Sequence, residues 1–106
     1  MKKLVLLFCL VLGGGGLLAE SQIQANINSL IIQLQKAKED TNKVIILNEL
    51  GFLYKDFNPE KGITAAKKAL YLAEKLNWKK GIAKSNMTIG INFASKYDNF
   101  NALSIF

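Results

Sequence analysis

Lysine is the one reactive side chain this sequence supplies in quantity, and its neighbours decide what chemistry it could do. All fourteen basic residues are lysines, set against eight Asp and Glu, for a formal charge of +6. Without arginine there is no planar guanidinium fork to grip a phosphate or a guanine edge at two points. The lysines alternate with acids, as in Lys36-Ala37-Lys38-Glu39-Asp40 and Asp56 to Lys61, instead of forming one block. That is the pattern of solvated helix faces. Lysine contact with nucleic acid would be weak and salt-sensitive, so no nucleic-acid partner is expected.

Histidine is absent. Ser-His-Asp and Cys-His catalysis and histidine-ligated metal sites therefore cannot be built from this chain. The single cysteine, Cys9, lies inside an apolar run, so no disulfide can form within one chain. The run Gly13–Gly16 is not a phosphate-binding loop, because no Gly-Lys-Ser/Thr follows it. No catalytic residue, cofactor-binding residue or metal ligand is assigned, and the chain is expected not to be an enzyme.

The elements that would position any binding residue begin after the N-terminus. Met1-Lys2-Lys3 is a short positive segment, Leu4 to Leu12 is continuously apolar, and Gly13–Gly16 should break any helix there. Leu17-Leu18-Ala19-Glu20-Ser21 then offers small residues at both positions a signal peptidase reads. Residues 1–21 read as a signal peptide cleaved after Ser21, with cleavage after Ala19 as the competitor and an uncleaved membrane anchor as the alternative. The apolar stretch from Leu4 to Ala19 is sixteen residues, short of the roughly 17–25 of a spanning helix. Cys9 is no lipid-attachment site, since Leu6-Leu7-Phe8 before it lacks the small residue such cleavage needs.

From Gln22 onward the pattern is helix and short turn. Ile23, Ile27, Leu30, Ile31 and Leu34 recur at three- and four-residue steps and define one apolar face. Asp40 or Thr41 can cap a second helix, with Leu47, Leu50, Leu53, Tyr54 and Phe57 on its stripe. Asn58-Pro59-Glu60 supplies a cap, a first-turn proline and an acid matched to the helix dipole. The third helix packs through Ile63, Ala66, Ala69, Leu70, Ala73 and Leu76, and Asn77 to Lys80 turns the chain. A fourth helix carries Ile82, Ala83, Ile89, Phe93 and Tyr97. Asp98-Asn99 should turn the chain again, before a last short helix. Val44-Ile45-Ile46-Leu47 is β-branched but flows into helical spacing, so no strand is expected.

One motif occurs twice. Leu47-x-x-Leu50-Gly51-x-x-Tyr54 is echoed by Asn86-x-x-Ile89-Gly90-x-x-Phe93, the glycines 39 residues apart. Ala102-Leu103-x-x-Phe106 follows the second copy, and Gly62-Ile63-x-x-Ala66-x-x-Ala69-Leu70 follows the first more loosely. This pattern resembles the tetratricopeptide repeat (TPR), whose units stack because none can bury its apolar face alone. It departs from the family in several places. Leu47 and Asn86 replace the usual Trp, Gly62 replaces Ala after a shortened turn, Ala66 replaces an aromatic, and no proline closes the repeat. The period also exceeds the family's roughly 34 residues, the extra length lying around Leu70 to Asn77. The phrase from Ala73 to Ala83, with the signal peptide, is similar to the N-terminal sensor arrays of bacterial two-component histidine kinases.

The resemblance implies an all-α chain: antiparallel helix pairs stacked as a short TPR-like α-solenoid behind a signal-peptide helix. Repeat one would span about 43–78 and a partial repeat two about 82–106, within a domain of residues 22–106. Gly51 and Gly90 would let neighbouring helices approach, with Ala69 and Ala102 doing so on second helices and Tyr54 and Phe93 filling the gaps. First helices of such arrays line a concave groove. Carried onto this chain, the groove residues are Ile45, Asn48, Phe52, Lys55 and Asp56, then Lys84, Met87, Ile91 and Ala94. Asn48 would bond a peptide backbone, Lys55 or Lys84 would meet a carboxylate, and Phe52 and Ile91 would take an apolar partner unless an adjacent helix covers them. The implied function is a non-catalytic protein- or peptide-binding module, exported to the periplasm. The alternative is the sensory N-terminus of a membrane histidine kinase, since Phe106 falls within what should be the second helix of repeat two. Ile91, Phe93 and Leu103 would then border an open apolar face with no polar capping helix, and self-association through it is expected.

Overall fold

The computed structural model describes residues 15–105, with side chains over residues 21–98. Lys2, Lys3, the apolar run and Cys9 of the expected signal peptide lie outside the described residues, as does Phe106. The described chain is all-α: α1 (Gly15–Lys36), α2 (Thr41–Tyr54), α3 (Pro59–Lys75) and α4 (Lys79–Ile105). Among the described residues there is no strand, and no helix is long and apolar enough to cross a membrane.

Local chemistry sets the helix ends. Asp40 caps α2, its carboxylate accepting from the Asn42 N–H at 2.9 Å and the Lys43 N–H at 3.4 Å. Asn58 caps α3 by accepting from the Lys61 N–H at 3.2 Å, with Pro59 and Glu60 in the first turn as the sequence suggests. At the end of α3, Asn77 takes a left-handed backbone, φ 54°. That lets the Trp78 N–H reach Ala73 O at 2.9 Å and the Asn77 N–H reach Glu74 O at 3.0 Å. These bonds satisfy carbonyls the helix end leaves free and swing Trp78 back onto the core.

The turns between helices are short, so each helix packs against the next and reverses direction. α2 is central: its backbone runs close to α1, α3 and α4, while the backbone of α1 comes close to α2 and only its side chains reach α3. The whole apolar stripe of α1 packs as expected, with Ile27 and Leu30 buried against Leu50 and Ala65, and Ile23, Ile31 and Leu34 beside them. A second cluster joins Val44 and Leu47 of α2 to Ala69, Leu72 and Ala73 of α3, covered by Leu34, Trp78 and Ile82.

Four expectations are corrected. Gly15 and Gly16 lie inside α1, which runs without a break across both cleavage positions weighed above. α4 continues through Asp98-Asn99, so the expected turn and separate fifth helix are absent; no Gly or Pro after Gly90 interrupts the helix. The buried face of α4 is Gly81, Ser85, Thr88 and Asn92, whereas Phe93 and Tyr97 are exposed, 49% and 65%. Ala83, Leu76 and Phe57 are exposed too. Lastly, the two motif glycines are not equivalent. A Cβ on Gly51 would lie 2.8 Å from Thr88 Cγ2 and 3.1 Å from Gly62 O, but one on Gly90 would meet nothing within 4 Å.

Candidate functional site

A groove of about 960 Å³ opens between α1, α2 and α4. It forms because α2 and α4 are held side by side by small and polar residues rather than by bulky ones. Asn48 on α2 is buried and donates through Nδ2 to Ser85 Oγ on α4 at 3.0 Å, and that hydroxyl donates onward to Gly81 O at 2.8 Å. One turn further along, Asn92 Nδ2 donates to Gly51 O and to Thr88 O, both at 2.9 Å. Gly51 lies in the last turn of α2, where carbonyls lose their intrahelical partners, and the Lys55 N–H turns to Phe52 O instead. Asn92 thus satisfies from α4 a carbonyl that α2 cannot.

The groove walls are apolar and open. Ile45, Phe52 and Met87 line it, and Phe52 and Met87 remain 47% and 51% exposed. Trp78 closes the end near the α3–α4 turn, its ring lying over Gly81 where any Cβ would collide with it. Lys80 and Lys84 on α4 face Glu49 on α2 around the rim. Buried beside it, Asn48 Oδ1 accepts no hydrogen bond from the protein.

The sequence-derived residues divide between this groove and elsewhere. Asn48, Phe52, Lys84 and Met87 come together in it, with Ile45. Lys55 does not line it; its Nζ lies 4.7 Å from the centre of the Phe52 ring and pairs with Asp56 at 2.6 Å. Ile91 is half-buried and does not line it, nor do Asp56 and Ala94. The contribution of α1, through Asn26, Ser29 and Gln33, was not foreseen. Its signal is in the sequence: these three recur at three- and four-residue steps beside the apolar stripe. Trp78, in the turn from Asn77 to Lys80, also lines the groove, which the sequence pattern does not indicate.

Fold and groove together define a class, an all-α stack of antiparallel helices with an open, apolar-walled cleft. Comparison with family models, with curated proteins and with solved structures finds no match to this chain.

Proposed function

We propose that the chain is a non-catalytic, TPR-like module that holds a protein or peptide partner in the groove between α1, α2 and α4, and that its N-terminal segment directs export to the periplasm or the membrane. In this reading α2 and α3 form one repeat and α4 opens the next. One observation carries the binding assignment. Asn48 and Phe52 from the first motif copy, and Lys84 and Met87 around the second, face a single cleft. Exposed apolar side chains gathered in a concavity, with a few polar groups between them, are what a peptide side chain and backbone require. The lysines of the rim suit a carboxylate on the partner.

Selection from a random peptide display library against the full chain tests this. Peptides recovered on the unaltered protein should lose binding to Phe52→Ala and Met87→Ala, and keep it to Tyr71→Ala, which lies outside the groove. Peptides indifferent to both groove substitutions would refute the assignment.

A further inference from the structure

A second cleft, of about 580 Å³, lies between the start of α2 and the outward face of α3, away from the proposed peptide groove. Lys43, Lys67, Lys68 and Lys75 all line it, and Glu39 is the one carboxylate among its lining residues. Lys43, the Lys67-Lys68 pair and Lys75 are separated in the sequence; folding collects them. Thr64, Lys67, Lys68, Tyr71 and Lys75 share one face of α3, being spaced by three, four and seven or more residues. The α2–α3 pairing then brings in Lys43.

The charges in the cleft are poorly compensated. Lys75 pairs with Glu39 at 3.5 Å, and both side chains are largely exposed. Lys67 and Lys68 have no acid three or four residues away on α3, so no intrahelical pair relieves them. Lys43 stands in the first turn of α2, the positive end of the helix dipole, where a cation is disfavoured. Asp40, its nearest acid in sequence, is occupied in capping that turn and does not line the cleft. Tyr71 projects beside the amines, 71% exposed. Its phenol adds a neutral donor and its ring an amphipathic body of the kind found at membrane interfaces.

We propose that this cleft binds a phosphate-bearing anion, either a lipid headgroup or soluble phosphate. A phosphate has several acceptor oxygens and can be shared by several ammonium groups, which one carboxylate does less well. A volume of about 580 Å³ leaves room for a headgroup or a diphosphate.

The full chain is tested by cosedimentation with vesicles of phosphatidylglycerol and phosphatidylcholine, against vesicles of phosphatidylcholine alone, and by calorimetric titration with pyrophosphate. Two double variants with equal charge change are compared, Lys67→Glu with Lys68→Glu in the cleft and Lys38→Glu with Lys79→Glu outside it. Circular dichroism melts confirm that both fold. Binding to the anionic vesicles should fall about tenfold or more in the cleft variant and little in the control. Retention on the vesicles without competition by pyrophosphate identifies a lipid headgroup; saturable pyrophosphate binding lost in the cleft variant identifies soluble phosphate. Equal retention on both vesicle types with no pyrophosphate heat, equal loss in both variants, or no binding to either probe overturns the proposal.

Discussion

Asn92 of α4 occupies the space that a side chain on Gly62 of α3 would need. A Cβ built on Gly62 would fall within the van der Waals surface of Asn92 Oδ1, so the hydrogen pointing that way faces the amide oxygen instead. This accounts for an otherwise unpartnered buried acceptor, since a Cα–H toward an oxygen is weakly favourable. It also gives a physical reason for glycine at position 62 where an alanine would strengthen the isolated helix.

Gly62→Ala is therefore expected to destabilise the fold by about 1–3 kcal/mol, the range of overpacking. Asn92→Ala should itself cost about 1–3 kcal/mol, because it leaves Gly51 O buried without its donor. In the Asn92→Ala background, however, Gly62→Ala should cost less, as the colliding amide is gone. Urea unfolding of the two single variants and the double variant measures the coupling. Strict additivity would show that the two residues do not meet.

The two motif glycines should respond with opposite signs. Gly51→Ala forces a methyl toward Thr88 Cγ2 and the Gly62 carbonyl, at 2.8 and 3.1 Å, and a loss of about 1–3 kcal/mol is expected, with Gly51→Leu worse. Gly90→Ala meets open space and should gain about 0.4–1 kcal/mol by restricting the unfolded chain. Thermal melts of the pair settle it, and equal shifts of one sign would contradict the packing described.

The starts of α2 and α3 are legible because they depend on adjacent residues, Asp40 as a cap and Asn58-Pro59-Glu60 as a start, and so is the α1 stripe from Ile23 to Leu34; the start of α1 and the course of α4 through Asp98-Asn99 are not. Neither is the face of α4. Ser85 and Thr88 hide their polarity by donating to carbonyls of their own helix, Gly81 O at 2.8 Å and Lys84 O at 2.9 Å. Asn92 donates both to Thr88 O on its own helix and to Gly51 O on α2. A hydrophobic pattern cannot register residues whose polar groups are paid for in this way, so it selected Phe93 and Tyr97, which are exposed. Within the groove, Asn48, Phe52 and Met87 lie inside the repeated motif and Lys84 just before its second copy, whereas Trp78 and the polar row Asn26, Ser29 and Gln33 of α1 lie far from both copies, the α1 row being marked only by its helical spacing.

The left-handed end of α3 should depend on residue 77. Asn tolerates φ 54° where most side chains do not. Asn77→Gly is expected to be neutral or stabilising, and Asn77→Val to cost about 1 kcal/mol or more. Chemical denaturation compares them. Indifference to valine would mean that Trp78 is not held by this turn.

The exposed aromatics of α4 should drive association of the chain with itself. Phe93 and Tyr97 lie one turn apart on one face, in line with half-buried Ile89. Sedimentation equilibrium is expected to show concentration-dependent dimers or larger species, reduced in a Phe93→Ser, Tyr97→Ser variant. A monomer at every concentration would count against this.

The groove is the centre of the account, and nuclear magnetic resonance can map it directly. A peptide recovered by display, titrated into isotope-labelled protein, should shift the amides and side chains of Ser29, Asn48, Phe52, Lys84 and Met87, including the Asn48 carboxamide, and leave Lys67, Lys68 and Tyr71 undisturbed. Shifts confined to the lysine face of α3, or spread over the exposed stripe of α4 with Asn48 and Phe52 unmoved, would contradict it.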